Sequence, residues 1–495
     1  MTSYRMILAC VLAAGIGCSR NRAPVQPGAA SQQQASATIV IRNVTVIPMT
    51  ADSIIPGATV VIHDGRIAEV RSGGSANTPR GARVIDGTGK YLIPGLTDMH
   101  THLFSDGEFV HDSAGASELA VMLANGITTA RLMIGTPEQL VLREAVASGR
   151  VPGPTLWVAS PQLTGRPSEN AMVVTTAEQA RTAVRAAKEA GYDFIKLTQF
   201  ITTPVYDAIT AEAKTQGIKV VGHVDPELGV ARALAARQEI EHLDGFFEAT
   251  LTDDAPMKVS VTQSGLFRGA NWLSLDHIDD RKVDSIAGAT ARAGVFMGPT
   301  HNIFNTAFAI GESESLVSSR PDWHIWPPKL REGYLRAHRA YWDSVRTPQR
   351  TKVRMKRYVD VRNRLLKAFQ DSGGKVLAGS DTPEWFHSYG WGLHRELQSL
   401  VGAGLSPRQA LAAATSTPAD FLGVSDQLSS IAKGKRADLI LLSANPLTDI
   451  GNTQKIEAVV VRGRWLDRSQ LDTMLADAVR KIQAATSGSS SSERR

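Results

Sequence analysis

Apolar runs spaced widely enough to hold a helix between most of them are the feature that most narrows what this chain can fold into. They lie at residues 92–102, 126–133, 155–163, 193–200, 219–225, 239–244, 295–303 and 376–381. Between several of them sit helix-patterned segments, such as 177–191 and 204–217, each ending in a glycine as helix C-termini commonly do. About eight strand-helix units in one chain specify an α/β protein built on a (β/α)8 TIM barrel, here over residues 92–431. The gap from 304 to 375 breaks the repeat and predicts extra helices.

The flanks read differently. From 38 to 91 short β-rich runs alternate with turn signals such as Asp64-Gly65 and Asp86-Gly87, and β-type runs return between 432 and 470. A small β-sandwich domain made from both segments and interrupted by the barrel is the economical reading. Residues 471–495 predict a C-terminal helix and a disordered, Ser-rich basic tail. With 495 residues the chain can bury a large core, and 43% hydrophobic with 21% charged residues is the balance of a globular protein. The net charge of +6 comes without aromatic-basic repeats or a Cys/His finger, so nucleic acid is not an expected partner.

Arg5 followed by the apolar run 6–18 reads as an export signal, too short to span a bilayer as a stable helix. Cys18, after small residues and before Ser19, resembles a bacterial lipoprotein processing site, although Gly15 stands where such sites usually carry Leu. The expected location is therefore periplasmic or outer-membrane-anchored, with Cys18 the one lipid attachment and 19–37 a flexible tether. Cys10 and Cys18 are the 2 cysteines, and neither can staple the folded body.

Chemistry-bearing side chains collect at the ends of the apolar runs, where the loops of such a barrel build its site. His100 and His102 close the first run, and residues two apart on a strand share a face, so both imidazoles can reach one divalent cation. Lys196 lies in the fourth run, His223 in the fifth, His242 in the sixth and Asp381 ends the eighth. Taken singly, these could be an ion-paired lysine, satisfied core histidines and a helix N-cap.

Taken in order, together with Gly126-Ile127-Thr128-Thr129, His394-Arg395-Glu396-Leu397, Ala414-Thr415-Ser416-Thr417-Pro418-Ala419 and Gly434-Lys435-Arg436-Ala437-Asp438-Leu439, the chain resembles the amidohydrolase superfamily, in its imidazolonepropionase-like and prolidase-like branch. The resemblance implies two divalent metal ions, zinc foremost. His100, His102 and Asp381 would hold the more buried one and His223 and His242 the other, with carboxylated Lys196 bridging them. Two cations lower the pKa of a shared water toward neutrality, and Asp381 would take its proton and pass it to the leaving nitrogen.

The implied activity is hydrolysis of amide-type C–N bonds in a small molecule, with dipeptides or N-acyl amino acids in a prolidase-like reaction as the sharpest expectation. The same site would serve a lactone, cyclic amide or phosphotriester, and a non-catalytic binding lipoprotein is the reading from another class. Leu132 follows Arg131 where many relatives have Asp, and Leu163-Thr164-Gly165-Arg166-Pro167 lacks their Gly-Gly-His, so a particular substrate does not transfer. Candidate substrate contacts are His301, after the seventh run, and Arg131, whose guanidinium could pair with a carboxylate or serve an internal ion pair. Trp323, Trp326, Tyr334, Trp342 and Tyr358 in the 320–364 segment either cap the mouth or pack inward as an amphipathic helical pair.

Overall fold

The computed structural model describes residues 38–488 except 51, 74–77, 104–114, 168–170, 226, 256–268, 306–312, 345 and 384–386. The expected signal peptide 1–18 with Cys18, the tether 19–37 and the end of the tail lie outside the described residues. Among the described residues no helix is long and apolar enough to cross a membrane.

Eight short strands carry the sequence runs: Leu96–Thr101, Ile127–Leu132, Thr155–Val158, Phe194–Leu197, Lys219–Gly222, Glu239–Glu241, Phe296–Gly298 and Lys375–Val376. All pair in parallel, the first three in one sheet and the other five in a second, to which Gln162–Thr164 and Ala171–Val173 add an edge. Hydrogen bonds link the two sheets at both margins. Ser160 N donates to Phe194 O (2.8 Å) on one side; on the other, Met99 N donates to Ala378 O (2.9 Å) and Asp381 N to His100 O (2.7 Å). The first two strands are buried along their whole length, as parallel strands covered on both faces must be.

Helices follow the runs as the pattern predicts. Ala177–Ala190 begins at a capping box in which Thr176 and Gln179 satisfy each other's backbone N–H groups, and ends at Gly191 with φ 90°. Its Ala180, Ala183, Val184 and Ala187 stripe faces the core. The gap from 304 to 375 holds Glu314–Ser318, Pro328–Ser344 and Lys352–Asp371. Trp326 and Tyr358 are fully buried there, Trp323 nearly so, and Lys352–Asp371 is tied to the helix Asp280–Arg292 through Arg357–Asp280 and Arg364–Asp284. The inward-packing reading of this segment therefore describes it better than a cap over the mouth.

The flanking segments form one eight-stranded mixed sheet, with Ile456–Val461 and Leu439–Leu442 reaching Ile39–Val46 through Tyr91–Pro94. It curls until Arg66 pairs with Arg436, so its hydrogen bonds trace a single continuous sheet around a core of its own that includes Ile41, Val60, Leu439 and Val460. The helix Arg468–Gly488 then packs on Ala116–Ala124.

Candidate metal centre

The first strand alternates Asp98, His100 and, one step past its end, His102 on the face turned to the middle of the fold. His100 Nε2 lies 3.3 Å from Asp381 Oδ1, and His102 Nε2 lies 3.0 Å from the same oxygen. His242 follows Glu241 directly and in a regular strand would face the other way. Its backbone is left-handed (φ 61°), which swings the ring back to lie 4.8 Å from His100 and 4.7 Å from His223, centroid to centroid. Arg362, buried behind it, holds that turn by donating to His242 O and Pro299 O, each at 2.9 Å.

All six residues singled out for metal binding, His100, His102, Lys196, His223, His242 and Asp381, line one cavity of about 440 Å3. Within it His100, His242 and Asp381 each offer a ligand atom, all within 4.8 Å of one another, and all three are buried. In the expected division His242 goes with His223 while His100 and Asp381 go with His102, and the fold sets His242 beside both groups. The turn at His242 is the reason, because it stands the ring between the two other histidines.

The donor chemistry fits a divalent cation. Burial drives the pKa values of His100 and His242 well below the ordinary imidazole value, favouring the neutral form that ligates a metal. Burial works against the Asp381 carboxylate, but the adjoining His100 and His102 outweigh it and hold the group ionised. Lys196 Nζ is buried with no hydrogen-bond partner, and burial lowers its pKa. An isolated ammonium there is costly, and an amine freed of its proton is the form that adds carbon dioxide.

A second layer of side chains orients the imidazoles. His100 Nδ1 is hydrogen-bonded to Glu241 Oε2 (2.8 Å), His223 Nδ1 to Asp244 Oδ2 (2.8 Å) and His242 Nδ1 to Thr300 Oγ1 (2.7 Å). Glu241 fits because residue 298 is glycine: a Cβ there would collide with its carboxylate. Residue 379 is glycine for a like reason, since its Cβ would fall 2.6 Å from that of His100. Asp98 accepts from the backbone N and the hydroxyl of Ser380, at 3.0 and 2.6 Å, and burial raises its pKa to about 7. None of Asp98, Glu239, Glu241 or Asp244 was singled out from sequence. The signal that could have found Asp98 is the period of two in Asp98-x-His100-x-His102, which places its carboxylate on the face that carries the histidines; Glu239, Glu241 and Asp244 carry no such signal.

The two candidate substrate contacts go elsewhere. Arg131 is fully buried, donates to Glu239 Oε1 (2.9 Å), to Glu241 and to the Met99 carbonyl, and does not line the cavity. Its guanidinium is committed to Glu239 and Glu241, the internal ion-pair alternative, and burial pushes the Glu239 pKa up to about 8, so one positive charge faces one ionised partner at neutral pH. His301 is also fully buried, its Nε2 shared between Asn363 Oδ1 (2.7 Å) and Asn305 Nδ2 (2.9 Å), and it too stays out of the cavity wall. Burial pushes its pKa down to about 3.

A barrel-like α/β fold with a buried His/His/Asp cluster at the strand ends defines a class of metal-binding proteins. The chain matches the amidohydrolase family over residues 91–466 and belongs to it. Adenine deaminase 3 of Rhizobium meliloti (strain 1021) is 24% identical over 439 residues, which is 87% of this chain and 58% of the deaminase. Imidazolonepropionase of Anaeromyxobacter sp. (strain K) is 36% identical over 129 residues, 23% of this chain and 30% of that enzyme. The chain thus spans little more than half the length of the first of these relatives and less than a third of the second. Among solved structures, a Xaa-Pro dipeptidase with methionine bound in its active site superposes with a TM-score of 0.61 at 21% identity, covering 87% of this chain and 100% of its own, a likeness of fold.

Proposed function

We propose that this protein is a metal-dependent hydrolase of amide-type C–N bonds, acting on dipeptides or N-acyl amino acids in the manner of a prolidase. The observation that carries the reading is the convergence of six donor residues from five strand ends on one cavity. Family membership and the shared fold of a Xaa-Pro dipeptidase support it. The two parallel sheets are read as one closed (β/α)8 barrel, supported by the hydrogen bonds at both margins, and the curled flanking sheet as its small β-domain.

His100, His102 and Asp381 would hold one cation, and His223 and His242 the other, His242 through Nε2 because its Nδ1 is taken by Thr300. Lys196 would bridge the two as a carbamate, its unpartnered Nζ having the burial this requires. When bound, zinc or a similar cation lowers the pKa of water toward neutrality and polarises a carbonyl. Asp381, ionised and on the cavity wall, accepts the proton released when water attacks the carbonyl carbon and returns it to the leaving nitrogen, so that the amine departs neutral. Export through residues 1–18, with lipid on Cys18, belongs to the same proposal and rests on Arg5 and the apolar run behind it.

The test is mass spectrometry of mixed dipeptides and N-acyl amino acids incubated with the full chain loaded with zinc and bicarbonate. Cleavage is expected to fall roughly 10²- to 10⁴-fold in Asp381→Asn. A protein shown to hold two metals that leaves every peptide and N-acyl amino acid intact would overturn the C–N reading in favour of lactones, ring amides or phosphotriesters. Carbon-13 bicarbonate should add a carbamate resonance that Lys196→Met abolishes.

A further inference from the structure

The cavity mouth carries a feature that metal binding does not use. Arg166 follows Gln162–Thr164, and Phe200 lies in the loop between the strand that bears Lys196 and the helix Thr203–Gln216; both line the metal cavity. The Arg166 guanidinium lies over the Phe200 ring, 4.1 Å from its centroid. Among the described residues Arg166 has no carboxylate partner, and apart from Lys196 and the histidines it is the basic side chain on the cavity wall.

The two loops are built to present this pair. Thr164 Oγ1 and Gly165 N both donate to Gln199 O, at 2.9 and 3.2 Å, and Thr198 Oγ1 donates to Leu163 O at 3.1 Å. Residue 165 is glycine because a Cβ there would run into the Phe200 carbonyl. Phe200 itself has φ 67°, a conformation unfavourable for a bulky side chain, and leaves its ring 47% exposed, while Asp225 accepts its N–H at 2.5 Å. An aromatic residue held in a left-handed backbone and left half in water gains little for folding, and such strain concentrates at ligand sites.

We propose that Arg166, seated on Phe200, recognises the carboxylate of the substrate and makes this cavity selective for anionic amides over their neutral analogues. Stacking takes one face of the guanidinium and leaves its in-plane N–H fork free, the geometry that grips a carboxylate with two parallel hydrogen bonds. The ring also limits the rotamers of the long side chain, so less freedom is lost on binding. The carboxylate-pairing role, one of two alternatives for Arg131, passes to a residue on the cavity wall. This inference rests on the cavity being the site of C–N hydrolysis.

The experiment compares a panel of dipeptides with the same dipeptides amidated at the C-terminus, using the metal-loaded full chain. The free acids should be cleaved with kcat/KM roughly 30- to 100-fold above the amides. Arg166→Gln should remove that preference by raising KM for the free acids far more than for the amides. Arg166→Lys should restore part of it, and Phe200→Leu should weaken it. Equal cleavage of acid and amide by the unmodified protein, or an equal loss of both in Arg166→Gln, overturns the assignment.

A binding arm separates this from the functional reading. If no peptide is cleaved, that reading fails, yet calorimetric titration of the metal-loaded protein with 3-phenylpropanoate and 3-phenylpropan-1-ol still decides the clamp. Tighter binding of the acid that disappears in Arg166→Gln supports it. Binding of both alike, binding of neither, or an acid preference that survives Arg166→Gln overturns it.

Discussion

Two arginines, one beneath the cavity and one on its wall, show how much a residue's surroundings decide what it does. Arg131 leaves the second strand into an interior where Glu239 and Glu241 are as buried as it is. Its work is internal: it neutralises the carboxylate that orients His100. Arg166 sits on a loop over an exposed ring and has no such obligation among the described residues. Beneath the cavity charge is spent on structure; on its wall charge is available to a ligand.

The largest break in that contrast should come from Arg131→Met. It strands the Glu241 carboxylate and leaves Glu239 without its partner in the interior, and urea unfolding should show a loss of about 3–5 kcal/mol. A loss below about 1 kcal/mol would mean the carboxylates protonate and need no partner. Next, Glu241→Gln keeps the shape but weakens the hold on His100 Nδ1; metal affinity, measured by competition with a chelator, should fall roughly 10- to 100-fold.

A smaller effect concerns pH. Burial holds His301 at about 3 and His394 at about 4 in the folded chain, against an ordinary value near 6.5. The unfolded chain therefore takes up protons first as pH falls. The stability these rings contribute is complete above about 6.5 and drains as pH drops toward 3–4, at about 1.4 kcal/mol per pH unit for each. His301→Gln should flatten the acid limb of metal-free unfolding curves; an unchanged slope would place the proton uptake elsewhere. The smallest expected change sharpens the comparison: Arg166→Gln should leave stability within about 0.5 kcal/mol, as an exposed side chain outside the core. A large drop in Tm would make Arg166 a structural residue like Arg131.

Much of the plan was legible before any coordinates. The eight runs fall on eight parallel strands, and the Thr176/Gln179 cap and Gly191 bound a helix where the pattern placed one. The six candidate ligands meet in one cavity because each sits at a strand's C-terminal end, and a parallel arrangement brings those ends together. Local patterns carry such information because strand and helix periods, caps and end positions are properties of neighbouring residues.

What the pattern could not decide depended on partners distant in sequence. His242 joins His100 and Asp381 because of a left-handed turn braced by Arg362, which lies 120 residues further on. Arg131 and His301 turn inward because Glu239, Glu241, Asn305 and Asn363 meet them there, and Phe200 is bent under Arg166 by contacts between two loops. The sequence by itself determined the strand-helix rhythm and which residue types stand at the strand ends. Only the tertiary structure decided which charges are neutralised in the interior and which face a ligand, because burial and long-range pairing set the energy of a charge and neither is written in its neighbours.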